Sequence, residues 1–160
     1  MSSGKRKKVG EVIELFRATG SQDNAFDALA AERLGVNRTD LECLTIIERH
    51  GGLSAGELAG ESGLTTGAVT GVIDRLERAG YAARVPDPAD RRRVLVEVTP
   101  AFYDRAREIW GPMAADWQDT ITTRFTAAEL DTIADFLSAT TKIGTRHINR
   151  LRAAPTASGV

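Results

Sequence analysis

Residues 54–80 hold two short amphipathic stretches separated by little more than a glycine, and that spacing leaves few folds open. Ser54-Ala55-Gly56-Glu57 has the pattern in which an N-cap hydroxyl and a glutamate three residues on satisfy each other's backbone groups. It opens a very short helix carrying Leu58 and Ala59. Gly63 ends that helix and turns the chain at once into another, starting near Thr65. There Val69, Val72, Ile73 and Leu76 recur at helical spacing as a buried stripe, with Thr66, Thr70 and Asp74 on the opposite side. Gly80 closes it.

Two strand candidates come next, at 81–85 and 94–98, the second with apolar or β-branched residues at alternate positions. Between them runs Pro86-Asp87-Pro88-Ala89-Asp90-Arg91-Arg92-Arg93, a turn-rich and strongly charged tip. Upstream, Val9, Val12, Ile13 and Phe16 form a helical stripe, Gly20-Ser21 predicts a break or bend, and Phe26, Leu29, Ala30 and Leu34 resume the face up to Gly35. Thr39-Asp40-Leu41-Glu42 reads as a capping box, opening a helix with Leu41, Leu44 and Ile47 that stops at Gly51-Gly52. Downstream, a long helix begins near Pro100 and should kink at Gly111-Pro112, because proline removes a backbone donor. Thr126 and Glu129 cap a last helix that carries Leu130, Ile133, Leu137, Ile148 and Leu151 and frays by Ala153-Ala154-Pro155. The expected class is mainly α with a small β-hairpin (α+β), in the order α-α-α-α-β-β-α-α. It divides into an N-terminal helical segment at 1–36, a lobe at 37–99, C-terminal helices at 100–152 and a flexible tail at 153–160.

A chain of 160 residues and 17.2 kDa suits one domain or two fused lobes. Its formal charge of −1 announces no global basic field, so the placement of the arginines matters more than their sum. The single cysteine, Cys43, excludes a disulfide framework and a cysteine-rich zinc site, and His50 and His147 are too few and too separated for a metal centre. No nucleophile–base arrangement or phosphate-cradling glycine loop appears, so neither an enzyme nor a cofactor is expected. No apolar run approaches the ~20 residues a membrane helix needs, and a cytoplasmic protein is expected. Lys5-Arg6-Lys7-Lys8 resembles the start of a signal peptide, but Glu11 and Glu14 interrupt the stretch after it; it reads as a tail rather than a DNA-brushing arm. Cys43, beside Leu44 and with no His or Lys neighbour in sequence, reads as a buried small hydrophobe, with a redox sensor as the alternative.

Two short helices at a glycine turn with a charged hairpin after them make a winged helix-turn-helix. Its second helix can enter a major groove and its hairpin tip a neighbouring minor groove, where arginine is favoured. The capping hydroxyls and free N–H groups at Ser54 and Thr65 are natural phosphate-facing groups. The run from Gly63 to Gly80 (GLTTGAVTGVIDRLERAG), with Asp87-Pro88-Ala89-Asp90-Arg91-Arg92 and Val98-Thr99 after it, resembles the DNA-binding lobe of the multiple antibiotic resistance regulator (MarR) family. The detailed likeness spans roughly residues 37–100.

That resemblance implies a homodimeric bacterial transcription factor, usually a repressor on double-stranded DNA, released by a small aromatic or lipophilic effector or by oxidation. It implies dimerisation through the terminal helices. Thr65, Thr66, Gly67, Thr70 and Arg75 match the family's base- and phosphate-contacting positions, and Asp90, Arg91 and Arg92 match its wing. Arg92 corresponds to an arginine that in relatives pairs with an aspartate matching Asp74 or enters the minor groove. Family ligands bind between dimer lobe and DNA lobe, which makes Phe26, Ile47, His50 and Trp110 the pocket candidates. Gly67 and Gly71 depart from many relatives and leave few base-reading side chains, so DNA shape carries more of the expected readout. They also give weight to a rival reading, a winged-helix interaction or dimerisation module without specific DNA binding.

Overall fold

The computed structural model describes residues 3–153, as six helices and one two-stranded sheet. The first helix, α1 (Ser3–Leu34), runs without interruption through Gly20-Ser21, where the sequence predicts a break. One glycine inside a helix costs only about 1 kcal/mol, and the hydrogen bonds of a 32-residue helix outweigh it. Lys5, Arg6, Lys7 and Lys8 likewise form its exposed first turns rather than a tail, since straight-chain basic residues are good helix formers. Only Ala30, Ala31 and Leu34, at the other end, are buried.

The second helix, α2 (Arg38–His50), starts from an asparagine instead of from the expected threonine box. Asn37 accepts the N–H of Asp40 at 2.9 Å, and its amide donates to the Asp40 carboxylate at 3.0 Å. Asparagine outranks threonine as an N-cap, so the start moves two residues back. The two short helices come next as α3 (Ala55–Ser62) and α4 (Thr66–Arg78). Ser54 and Glu57 form the expected reciprocal box, and the Thr65 hydroxyl accepts the N–H of Ala68 at 3.3 Å. Gly63 joins them at φ 73°, a left-handed conformation that a side chain would resist.

The hairpin pairs β1 (Ala82–Pro86) antiparallel to β2 (Val94–Val98), in the register Ala82↔Val98 through Pro86↔Val94. Leu53 adds a bridge to Val96 through two backbone bonds of 3.1 and 2.7 Å, which ties the root of the hairpin to the α2–α3 connection. Then come α5 (Pro100–Arg124), a single helix that continues through Pro112, and α6 (Ala127–Ala153), opened by the Thr126–Glu129 box. Apart from Ala153, the tail expected at 153–160 lies outside the described residues.

The described residues form two compact units, divided between Gly111 and Pro112. The core of the first gathers Leu44, Ile47, Leu58, Val69, Ile73 and Leu76 from α2, α3 and α4, with Val96 and Phe102 completing it. These are the helical stripes read from the sequence, and burying them in one cluster is what holds helices too short to stand alone. In the second unit α6 buries no residue and leaves Leu137, Ile143, Ile148 and Leu151 exposed.

Candidate nucleic-acid interface

The face that α4 turns away from the core is held in place by acid–arginine pairs. Asp40 lies on the buried stripe of α2, and its side chain is only 3% exposed. A carboxylate so placed needs a cation, and Arg75 of α4 supplies a two-pronged one: Nε donates to Oδ2 at 2.9 Å and Nη2 to Oδ1 at 2.6 Å. The same contact favours the charged guanidinium and raises its pKa further above its usual value. Arg75, expected among the DNA contacts, therefore braces α4 against α2.

The wing is braced by arginines other than the expected one. Asp74 pairs with Arg84 of β1 at 2.8 Å, and Glu77 takes both the Arg84 guanidinium and its backbone N–H, the latter at 3.0 Å. Arg84 shares a face of β1 with buried Ala82, two residues before it, and that alternation carries its side chain back over α4. The expected Asp74–Arg92 pair is absent because Arg92 lies at the far tip, 91% exposed, and bonds to Asp90 at 3.2 Å. That contact, with the Arg92 N–H, holds the Asp90 carboxyl below its ordinary range. Arg93 reaches back to Glu57 of the α3 cap at 3.0 Å and to Asp87 at 3.7 Å. Asp87, nearly buried, accepts the N–H of Ala89 at 2.8 Å and closes the turn.

Glu57 thus serves the α3 cap and the wing together. Hydrogen bonds from the Ser54 hydroxyl and N–H, then Arg93, lower its pKa from 4.5 to about 2. The folded value lies below the unfolded one, so this contribution to stability is complete above about pH 4.5 and is lost as pH falls toward 2. A carbon-13 titration of the Glu57 carboxyl should give a midpoint near 2. A midpoint near 4.5 would show the box open in solution.

With those pairs made, Arg78 at the end of α4 and Arg91 at the tip are the exposed arginines of this face with no ion pair among the described residues. Ser54, Thr65 and Thr66 lie at the starts of α3 and α4, and Gly67 and Thr70 lie within the first two turns of α4.

Elsewhere in the first unit, Phe26 and Trp110 stack at 6.1 Å with their planes tilted by 57°. A cavity of about 290 Å³ beside Trp110 is lined by Asp27, Leu41, Thr45, Glu48, Phe102 and Ala106. Another of about 360 Å³ runs between Phe26, Leu29, Arg33, Arg105 and Ile109. Two of the four pocket candidates line neither. Ile47 is fully buried in the core, and His50 stands at the exposed end of α2, 3.8 Å from Glu61. Cys43 is also fully buried, and that burial, with the charges of Glu42 and Asp40 after it, pushes its thiol up to about 11. Both effects disfavour the thiolate, the reactive form, at neutral pH.

Residues 36–94 match the model of the MarR family. Over 140 residues the chain is 36% identical to an uncharacterized HTH-type transcriptional regulator, YcgE, of Bacillus subtilis, covering 88% of this chain and 90% of that protein. The chain belongs to the MarR family. It is 30% identical over 100 residues to the multiple antibiotic resistance protein MarR of Salmonella typhimurium, covering 62% of this chain and 69% of that protein. A solved MarR family protein from Bacillus stearothermophilus shares the fold, with a TM-score of 0.64 at 20% identity, over 88% of this chain and 97% of that one. This MarR-family protein is a DNA-binding transcriptional regulator rather than an enzyme. No helix among its described residues is long and apolar enough to cross a membrane.

For this MarR-family chain, reading the sequence missed three parts of the interface frame: Asp40, Arg84 and Arg93. A signal for the first was present. Asp40, Cys43 and Ile47 stand at i, i+3 and i+7, so an acid sits on an apolar stripe and requires a cation. Arg84 stood in a strand candidate two residues after Ala82, an alternation that could have found it, whereas no local pattern distinguishes Arg93 from Arg91 and Arg92.

Proposed function

We propose that this regulator is a homodimeric repressor, acting in the cytoplasm on a pseudo-palindromic operator, with α4 in the major groove and the wing tip at the minor groove. The observation that carries the reading is the division of labour among the arginines: Arg75, Arg84 and Arg93 fix helix and wing, and Arg78 and Arg91 have no ion pair among the described residues. Ser54, Thr65 and Thr66 meet phosphates, Gly67 and Thr70 face the bases, and Asp90 shapes the tip that presents Arg91 and Arg92. Residues 37–99 form the DNA lobe. Segments 1–36 and 100–152 dimerise, because Val12, Ile13, Leu137 and Ile148 leave apolar faces that the monomer does not cover.

Titrations of a promoter fragment from the surrounding operon at several salt concentrations test this. Arg91→Ala should weaken operator and scrambled DNA alike and flatten the log–log salt slope by about one unit per lost phosphate contact. Unchanged affinity and slope in both Arg91→Ala and Arg92→Ala would remove the wing from the interface and favour an interaction module.

The cavity beside Trp110 is the proposed effector site, with Trp110 and Phe102 as its aromatic walls and Asp27 and Glu48 at its rim. Those carboxylates favour a lipophilic ligand carrying positive charge. By linkage such a ligand binds the free protein more tightly than the DNA-bound one. Competition between DNA and a lipophilic aromatic cation that does not intercalate, such as tetraphenylphosphonium, tests it. Trp110→Ala should abolish the competition without changing basal DNA affinity.

A further inference from the structure

The outward face of α4 is unusually bare. At 100° per residue, a helix that buries Val69, Val72, Ile73 and Leu76 turns Gly67, Gly71, Asp74 and Arg78 directly outward, with Thr66 and Thr70 alongside. Asp74 is held by Arg84. Nothing inside the protein demands glycine at the two bare positions. A Cβ at 67 would meet no atom within 4 Å, and one at 71 only the tip of Arg75 at 3.5 Å. The bareness therefore belongs to the surface and to whatever approaches it.

Thr70 decides what that surface can say. Its hydroxyl donates to the Thr66 carbonyl at 3.0 Å, so its one proton is engaged within the helix, and what it can still offer a base is a lone pair of that oxygen or its methyl group. The first two turns of α4 carry no Asn, Gln or Lys, and Arg75 is clasped by Asp40. The two-pronged hydrogen bonds by which side chains single out guanine or adenine are thus not available there. An apolar contact with the thymine 5-methyl group is.

We propose that Thr70 selects the operator through its methyl group, packed against the 5-methyl of a thymine, and that Gly67 and Gly71 let α4 seat deeply enough for this contact. The inference rests on the reading of α4 as the groove-entering helix. Thr70 is a specificity-determining residue whose hydroxyl is dispensable and whose methyl is not.

The test uses the full chain and a duplex selected by it from random sequences, with each thymine in turn replaced by uracil, which lacks only the methyl. Uracil at one position in a half-site should weaken binding about fourfold, the worth of one buried methyl. Thr70→Ser should lose the same factor and become indifferent to uracil there. Thr70→Val, which keeps the shape and deletes the hydroxyl, should bind and discriminate as the parent does, and an unchanged melting temperature confirms its fold. Replacing Gly71 with leucine should weaken the selected duplex by about tenfold or more. Tight binding that no uracil changes by more than about twofold would overturn the proposal. So would a Thr70→Val variant that loses discrimination while Thr70→Ser keeps it, because the hydroxyl would then be the reader. Selection of no duplex at all would instead overturn the reading of α4 on which the inference stands.

Discussion

Arg75→Ala should cost the first unit about 3 kcal/mol, a large fraction of a domain's usual stability. The reason is asymmetric. Asp40 is 3% exposed and stays behind with only the Asn37 amide to face it, whereas Arg75 itself is 42% exposed and half hydrated already. Removing the arginine strands a buried charge, and removing the aspartate frees a cation to turn toward water. Asp40→Asn should therefore be the milder change of the pair. Arg78→Ala, on the same helix but exposed and with no ion pair among the described residues, should stay within about 0.5 kcal/mol of the parent. Urea unfolding monitored by circular dichroism checks all three, with a shifted midpoint and unchanged slope as the expected signature. DNA affinity in Arg75→Ala should fall for every sequence together, since what is lost is the seating of α4. A variant of full stability but altered sequence preference would make Arg75 a base contact instead.

Placing charge on the exposed apolar face of α1 should have the largest effect on DNA binding. In Val12→Asp/Ile13→Asp, side chains 44% and 46% exposed in the monomer acquire carboxylates that a buried interface would have to desolvate. The doubly substituted protein should sediment as a monomer at micromolar concentration. Its affinity for a two-half-site operator should drop by a factor on the order of 10² or more, because the second recognition helix no longer benefits from tethering. The lobe's melting should be unaffected, as these positions lie far along α1 from its buried end at Ala30, Ala31 and Leu34. A monomer that retains full operator affinity would contradict the dimeric reading.

How much of the structure is legible in the amino-acid order depends on the range of the interactions involved. The Ser54–Glu57 box, the Thr65 cap, the Gly63 turn and the Val69–Leu76 stripe are settled within a few residues each, and each appears in the structure as expected. Caps compete locally, which is why Asn37 displaced Thr39: both are credible N-caps, and asparagine is the stronger of the two. The Gly20 expectation failed because a helix break is decided by the whole helix rather than by one residue. The pairs that position the interface join residues 35, 10 and 36 apart, Arg75 to Asp40, Arg84 to Asp74 and Arg93 to Glu57. Three consecutive arginines look alike in sequence; the hairpin register makes one a brace and two a tip.

The docking of α1 has a mechanical corollary. Only its last turn is buried against the lobe, at Ala30, Ala31 and Leu34, and about 36 Å of helix extends from there to residue 7. Such a rod is a lever with a very short inner arm. A tilt of about 10° at the docked end sweeps the far end by about 6 Å, while the contacts it disturbs are those near the pivot, of Phe26, Ala30, Ala31 and Leu34. A rearrangement small enough to leave the core packing intact is thereby geared up to the scale of a base-pair step or two, and the gearing ratio is set by nothing more than the length of one uninterrupted helix.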